Sequence, residues 1–317
     1  LIQTGVANTS TSHQEWVFLD EVNTCNSMGL VTELMTKRTM LGKPLKENVI
    51  VVAACNPYQK IDTKNITGAD TGLIQKKEHA IRNLVYNVNP LPYSLLNFVL
   101  NFGSLKPADE KKYIKCIIND AIEETVTIKR NEFKTQASQL ISLCQNFIRE
   151  KYGAFTVSLR EVRRLVILYR WFFNYLKSKN LEERVIEYQN EAFHYKTINN
   201  ELLAKYSLVL SLYMCYFIRI QKKEQREELN KKINEIAQID FLNIVQREQE
   251  DLVNQVNLPK GIAKNRAILD NMFALFVCIC SCIPIFICGK PGCSKSLSAN
   301  LLYSAMNGEF SKNAFFK

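Results

Sequence analysis

The sequence contains little histidine, and this scarcity argues against a zinc centre. There are three histidines and ten cysteines among 317 residues. Cys278, Cys280 and Cys282 are separated by single residues, whereas zinc-binding cysteines are spaced by roughly two to four residues and need further cysteine or histidine partners. Most cysteines lie instead in apolar runs, where a thiol behaves as a small buried apolar group. We therefore expect structural thiols in a reducing, cytoplasmic compartment.

The apolar run from Met272 to Cys288 is not suited to crossing a membrane. The stretch from Met272 to Cys288 is interrupted by Pro284 and leads at once into a turn of small residues. A helix that crosses a membrane needs about 20 apolar residues in succession. This stretch is therefore predicted to be the end of a buried helix followed by a central strand. No transmembrane segment is expected, and we recognise no signal peptide.

A nucleic-acid recognition motif is missing as well, although the net charge is +10. The densest basic patch comprises Lys222–Arg226 and Lys231–Lys232, and glutamates interleave with it. Opposite charges three or four residues apart pair on one face of a helix. The patch is therefore predicted to be a solvated helix face, and specific nucleic-acid binding is not expected.

The sequence does contain, near its C-terminus, a loop suited to phosphate. Ile285–Cys288 is predicted to be a strand and Leu297–Met306 a helix, and small residues connect them. A strand, a glycine-containing loop and a helix in this order form a P-loop, whose amides and helix N-terminus attract phosphate. The residues predicted to bind ATP are Gly289, Lys290, Pro291, Gly292, Cys293, Ser294, Lys295 and Ser296.

Two residues of this loop are predicted to carry most of its chemistry. Lys295 would reach the β- and γ-phosphates, and the Ser296 hydroxyl would ligate Mg²⁺. Ser294 stands where the pattern G-x-x-x-x-G-K-[ST] has glycine. Serine is small enough to leave the backbone accessible, so the loop is still predicted to be a P-loop. The simpler interpretation is a turn between a strand and a helix, without a ligand.

Acidic and amide side chains follow two further predicted strands. Trp16–Leu19 ends at Asp20 and Glu21, which is the form of a Walker B motif. Asp20 is predicted to hold Mg²⁺, and Glu21 to orient and polarise the attacking water. Asn56 follows the apolar run Val49–Cys55, at the end of a strand where open α/β sheets place functional side chains. The alternative role of Asn56 is to cap the turn before a proline.

From Tyr93 onwards the pattern becomes helical, and no further strand is expected before residue 283. The predicted helices are Leu95–Phe102, Pro107–Ile128, Phe133–Tyr152, Leu159–Leu176, Ile198–Ile220, Glu224–Ile236 and two segments between residues 240 and 282. Ser158 and Glu161 form a capping box at one helix start. Arg160 therefore lies in the first turn of this helix, where the helix dipole disfavours a cation. A phosphate bound nearby would stabilise the arginine at this position.

The order of these motifs resembles that in AAA+ ATPases. Their residues resemble those of the mysterin-type giant RING-finger E3 ubiquitin ligases with tandem AAA+ units. The matching segments are Phe18–Thr24, Val52–Pro57, Leu91–Pro92, Ser94–Val99, Asn101–Leu105, Ser158–Val162 and Gly289–Ser296. Ser294 agrees with the loop of that family. The resemblance extends from residue 16 to about residue 308.

The resemblance implies an α/β plus all-α fold of the AAA+ P-loop NTPase class. Residues 1–92 would be the C-terminal half of one α/β subdomain, 93–235 its helical lid, and 236–317 the start of the next unit. It further implies that Asn56 is sensor 1 and that Arg160 occupies the sensor 2 position. Arg38 and Arg82 are candidates for an arginine finger. The implied cofactors are ATP and Mg²⁺.

The implied function is ATP binding and hydrolysis by the motor segment of a mysterin-like ligase. Its partners would be neighbouring AAA+ units of the same chain and, through the parent protein, ubiquitin machinery and protein substrates. Three alternatives stay open: a non-hydrolysing AAA+ scaffold, a dynein-like or midasin-like motor, and a permuted protein in which Lys295 and Asp20 share one site. The isolated segment is expected to be nearly inactive, because its two half-sites belong to different units.

Overall fold

The computed structural model describes residues 14–58, 88–103, 105–127, 129–153, 156–179, 185–188, 191–194, 200–256 and 258–306. The fold is mostly helical and carries a small parallel sheet. The chain divides into two compact units, Leu1–Ser104 and Leu105–Lys317. The domain boundaries expected at residues 92 and 235 stay predictions.

The first unit is built around two parallel strands. Its elements are β1 (Glu15–Leu19), a 3₁₀ turn (Val22–Thr24), α1 (Met28–Lys37), β2 (Thr39–Met40), β3 (Lys43–Pro44), β4 (Val49–Ala53) and a 3₁₀ helix (Tyr93–Phe98). β1 pairs with β4 from Glu15 opposite Val49 to Leu19 opposite Ala53. The side chains of Trp16 and Phe18 are 67% and 63% exposed. Within the described residues, therefore, one face of this sheet has no layer packed against it.

The second unit contains eight helices within its described ranges, in agreement with the helical pattern. They are α2 (Pro107–Thr125), α3 (Arg130–Tyr152), α4 (Leu159–Ser178), α5 (Asn200–Cys215), α6 (Lys223–Ala237), α7 (Phe241–Asn254), α8 (Arg266–Cys280) and α9 (Lys295–Ala305). α5 is followed by a 3₁₀ turn, Phe217–Arg219. The positions of most helix ends lie within a few residues of those predicted from periodicity.

Three predictions about local structure are wrong. The stretch Ile285–Cys288 is not a strand; a strand needs a neighbour to accept its backbone hydrogen bonds, and none pairs with it in the described residues. The segment Leu95–Phe102 is a 3₁₀ helix over Tyr93–Phe98 only. A hairpin of β5 (Val185–Tyr188) and β6 (Glu191–His194) lies where no strand was expected; its four-residue strands are too short for an alternating pattern to be recognised. The apolar run Leu84–Val88 also predicts a strand, and all of it except Val88 lies outside the described residues.

Aromatic side chains form the centre of the second unit. Phe172 of α4 stacks on Phe273 of α8, with 6.2 Å between ring centroids. Tyr213 of α5 meets Phe273 edge-on at 6.2 Å. Each large apolar side chain that is fully buried contributes roughly 1.5–3 kcal/mol of transfer free energy. The helices are therefore held together mainly by this shared core.

A second, smaller cluster joins the last helix to the rest of the unit. It comprises Val253 at the end of α7, Val256 two residues beyond that end, Ile268 and Met272 from α8, and Leu301 from α9. α8 contributes Phe273, Phe276 and Val277 to the main core as well. α8 is thus the helix on which α9, and the loop before it, are positioned.

A buried polar network fixes α8 against three other elements. The Asp270 carboxylate accepts hydrogen bonds from the Tyr213 hydroxyl, from Gln249 Nε2 at 3.0 Å and from Arg226 Nη1 at 3.1 Å. Burial, together with the neighbouring Asp270 carboxylate, raises the pKa of Tyr213 well above its usual range. The tyrosine therefore keeps its proton and remains a donor to Asp270.

One helical stretch, Asn200–Arg219, is long and apolar enough to cross a membrane by length and composition alone. However, 78% of its apolar window is buried inside the protein. Most of its residues pack in the main core, as expected of the central helix of a bundle.

We predict that Asp270→Ala lowers the free energy of unfolding by about 3–5 kcal/mol, because it leaves Arg226 buried without its carboxylate. Urea-induced unfolding followed by circular dichroism measures the change. Glu227→Gln is the matched control, since Glu227 and Lys223 form an exposed pair at 3.7 Å and such pairs contribute about 0–1 kcal/mol. Equal losses in the two variants would contradict a stabilising role for the buried network.

Candidate functional site

The first group of predicted site residues lies at one edge of the parallel sheet. Asp20 and Glu21 follow β1, and Asn56 follows β4 after two further residues. Because the strands are parallel and in register, their carboxyl ends meet at the same edge. Asn56 Nδ2 donates to Glu21 Oε1 at 3.4 Å. The structure therefore brings together two side chains that are 35 residues apart in sequence.

Asn23, which sequence reasoning missed, fixes the backbone of Asn56. Its side chain is 1% exposed. Asn23 Nδ2 donates to the Asn56 carbonyl at 2.7 Å, and Asn23 Oδ1 accepts from the Asn56 amide at 3.3 Å. A buried amide that exchanges two hydrogen bonds with one residue sets that residue's position. The only sequence signal was a polar residue two positions after Glu21, which is too weak to single it out.

The backbone at Glu21 is left-handed. Its φ is 50°, a conformation that costs a residue with a Cβ roughly 1–2 kcal/mol. The Asp20 Oδ1 atom accepts from the Glu21 amide at 3.0 Å, which supports the turn. Asp20 and Glu21 are both exposed, so their carboxylates are accessible to a cation and to water.

The predicted phosphate loop, Gly289–Ser296, is a mostly exposed turn in the second unit. Gly292 and Ser294 have φ of 85° and 56°, and α9 begins at Lys295. Lys295 Nζ donates to the carbonyls of Gly289 at 2.7 Å and Lys290 at 2.8 Å. The residues from Gly289 to Cys293 are exposed. The loop is therefore not a buried bend, and its lysine is folded back over it.

The start of α9 is open to an anion. The Ser298 amide donates to the Ser294 carbonyl at 2.9 Å, and no side-chain hydrogen bond caps this helix at Ser294. Amides of a first helical turn that lack partners, together with the helix dipole, favour phosphate. Ser296 lies in this first turn and is exposed, so its hydroxyl oxygen is available as a hard ligand for Mg²⁺.

Arg160 lies at the start of α4, where the predicted capping box is confirmed. The Ser158 side chain accepts from the Arg160 amide at 3.2 Å, and the Glu161 carboxylate accepts from the Ser158 amide at 2.7 Å. The Arg160 side chain is exposed, and within the described ranges its guanidinium makes no hydrogen bond or ion pair. Arg160 is thus available for an anion.

Of the two arginine-finger candidates, only Arg38 lies within the described residues. Arg38 Nη2 donates to the carbonyls of Lys46 at 3.2 Å, Glu47 at 3.4 Å and Val49 at 2.9 Å. It therefore holds the turn before β4 in place. Arg82 lies outside the described residues.

We predict that Ser294→Gly raises the free energy of unfolding by up to about 1 kcal/mol, since glycine adopts positive φ without strain. Chemical denaturation measures this gain. Ser304→Gly is the control, because Ser304 lies inside α9, where glycine costs about 0.5 kcal/mol relative to serine. A loss of stability in Ser294→Gly would show that the left-handed turn carries no strain.

Comparison with known proteins finds one matching family model and several relatives of similar sequence. Residues 261–317 match the family model of the RNF213 AAA domain. The chain is 30% identical to the E3 ubiquitin-protein ligase RNF213 of Homo sapiens over 318 residues, which cover 95% of this chain and 6% of that protein. The relatives from Mus musculus and Danio rerio, the latter named E3 ubiquitin-protein ligase rnf213-beta, are also 30% identical, each over 322 residues with the same coverage.

These comparisons agree with the resemblance that the sequence motifs indicate. The chain spans 6% of the length of these curated relatives, and the matched family model includes the phosphate loop. The mysterin-type resemblance is thereby confirmed: over 95% of its length, the chain is similar to one short segment of the RNF213 ligases.

Proposed function

We propose that this chain is an AAA+ motor segment of a mysterin-like E3 ubiquitin ligase and takes part in ATP binding and hydrolysis. The observation that carries the proposal is the hydrogen bond from Asn56 to Glu21 at the shared edge of β1 and β4. An AAA+ site needs a carboxylate that polarises water and an amide that orients it. Both side chains lie together here, next to the exposed Asp20.

The donor set fits Mg²⁺ and a triphosphate. Carboxylate and hydroxyl oxygens are the ligands that Mg²⁺ prefers, and Asp20 and Ser296 supply one each in their respective half-sites. When bound, the ion neutralises charge on the phosphates. Lys295 and the amides of the loop from Gly289 to Ser294 would hold the phosphates by charge and hydrogen bonding.

The remaining residues act on the water and on the developing charge. Glu21 would take up the proton of the attacking water or align it, and Asn56 would fix the direction of the Glu21 carboxylate. Arg160, as the lid arginine, would contact a phosphate and stabilise charge in the transition state. Phosphoryl transfer depends mainly on positioning of this kind, since the protein forms no covalent bond.

The two half-sites belong to different predicted units, so each needs a complement from a neighbouring AAA+ unit. Residues 1–92 and 93–235 would complete a site whose loop precedes them, and residues 236–317 would open the next site. Ligase activity, ubiquitin machinery and protein substrates belong to the parent protein in this proposal, in the cytoplasm.

We predict that Glu21→Gln in the full-length protein lowers ATP turnover at this unit by at least about 100-fold, the scale of a lost general base. ATP binding at the same unit should be retained, because the carboxylate acts on water. Phosphate release and binding of a fluorescent ATP analogue measure the two quantities. Glu47→Gln, an exposed glutamate before β4, is the control. Unchanged turnover in Glu21→Gln would favour a non-hydrolysing scaffold.

We predict that Lys295→Ala weakens ATP binding at the second half-site by at least about 10-fold, since a charge-assisted contact to phosphate contributes about 1.5–3 kcal/mol. Equilibrium titration with a fluorescent ATP analogue measures the affinity. Lys260→Ala removes an exposed lysine of the same unit and should bind as the unaltered chain does. Equal affinities in the two variants would leave the loop as an ordinary turn.

A further inference from the structure

Two adjacent residues of α8 connect the phosphate loop to the helical core. Asp270 lies in the buried network with Tyr213, Gln249 and Arg226. The next residue, Asn271, donates from Nδ2 to the carbonyl of Cys293 at 2.9 Å. Met272, which follows, is fully buried in the smaller cluster. Asn271 is therefore held on both sides by residues that cannot move without disturbing the core.

The Cys293 carbonyl is a sensitive point of the loop. Cys293 stands between Gly292 and Ser294, which both have positive φ. The peptide group is planar and trans, so its carbonyl and the following amide point in opposite directions. By holding the Cys293 carbonyl, Asn271 also fixes the direction of the Ser294 amide. That amide is one of the loop donors available to phosphate.

We propose that Asn271 is a positioning residue for the phosphate loop, which sets the orientation of the Cys293–Ser294 peptide from the face of α8. The inference rests on the proposed function, because it assigns the loop a phosphate ligand. Lys295, a residue of the loop, donates to the Gly289 and Lys290 carbonyls. Asn271, a residue of α8, donates to the Cys293 carbonyl. Loss of the Asn271 bond leaves the peptide free to rotate before a ligand arrives.

The expected effect on affinity is moderate, because the bond is exposed and a neutral hydrogen bond contributes little net free energy. Asn271→Ala should weaken binding of ATP, and of inorganic tripolyphosphate, by about 3- to 10-fold. The two ligands should lose affinity equally, since they share the triphosphate and differ in the adenosine group. A purely structural role would lower the melting temperature without this phosphate-dependent loss.

The experiment uses three variants of the full-length parent protein, because the half-site in this chain needs a complement from a neighbouring unit. Asn271→Ala removes the donor, and Asn271→Asp keeps the shape but places an acceptor against the Cys293 carbonyl. Asn254→Ala is the matched control, because Asn254 is an exposed asparagine whose hydrogen bond, from Lys264 Nζ at 2.6 Å, lies away from the loop. Titration of ATP and tripolyphosphate gives the affinities, and thermal unfolding reports stability.

A second measurement needs no nucleotide. Cys293 is exposed, so its rate of alkylation by iodoacetamide, localised by tandem mass spectrometry, reports the order of the loop. The rate should rise several-fold in Asn271→Ala and Asn271→Asp and stay unchanged in Asn254→Ala. The exposed Cys116, on α2, serves as the internal standard.

The proposal is supported if both Asn271 variants weaken ATP and tripolyphosphate binding, raise the Cys293 alkylation rate and melt as the unaltered protein does. It is overturned if Asn271→Asp retains full affinity, or if the alkylation rate does not change in either variant. Failure of the unaltered protein to bind ATP would count against the proposed function. In that case the alkylation rates still decide whether Asn271 orders the loop.

Discussion

The burial of α8 on two sides is the constraint on which the second unit depends. Phe273 and Phe276 belong to the main core, and Ile268 and Met272 to the smaller cluster that receives Leu301 of α9. A helix with apolar residues on both sides must be covered on both sides. Because α8 is covered by the helical bundle and by α9 together, the loop between them begins and ends at fixed places. The phosphate loop thus obtains its position from packing that lies behind it.

The polar residues at positions 270 and 271 restrict the rotation of α8 about its axis in addition to its packing. The Asp270 carboxylate must be desolvated to reach Tyr213, Gln249 and Arg226, which costs free energy that the pairing offsets. In return only one rotation of α8 satisfies all three donors. That same rotation directs the Asn271 amide to the Cys293 carbonyl. The apolar faces and the polar residues of α8 therefore act together in fixing its position and its rotation.

Local patterns in the sequence predicted most of the helices, and they placed Asp20, Glu21 and Asn56 at strand ends. The capping box of Ser158 and Glu161 was predictable because all of its atoms lie within one turn. Asn23 and Asn271 were not predictable, since each acts through a backbone group that is 33 or 22 residues away. The strand expected at Ile285–Cys288 failed for a related reason. A strand is defined by its neighbour, and the pattern of one segment cannot supply that neighbour.

The two half-sites share one feature that stability alone does not explain. Glu21 and Ser294 both have left-handed backbones, with φ of 50° and 56°, although neither is glycine. Gln238 has the same conformation directly after a helix end, where it is common. Glu21 instead follows a strand, and Ser294 precedes a helix. Lys129, which precedes α3, is left-handed as well and lies in neither predicted half-site. Left-handed residues at such places are rare and gather at functional sites. In both predicted half-sites the left-handed residue lies in or beside an exposed turn, with the Glu21 carboxylate in one and the residues from Gly289 to Cys293 in the other.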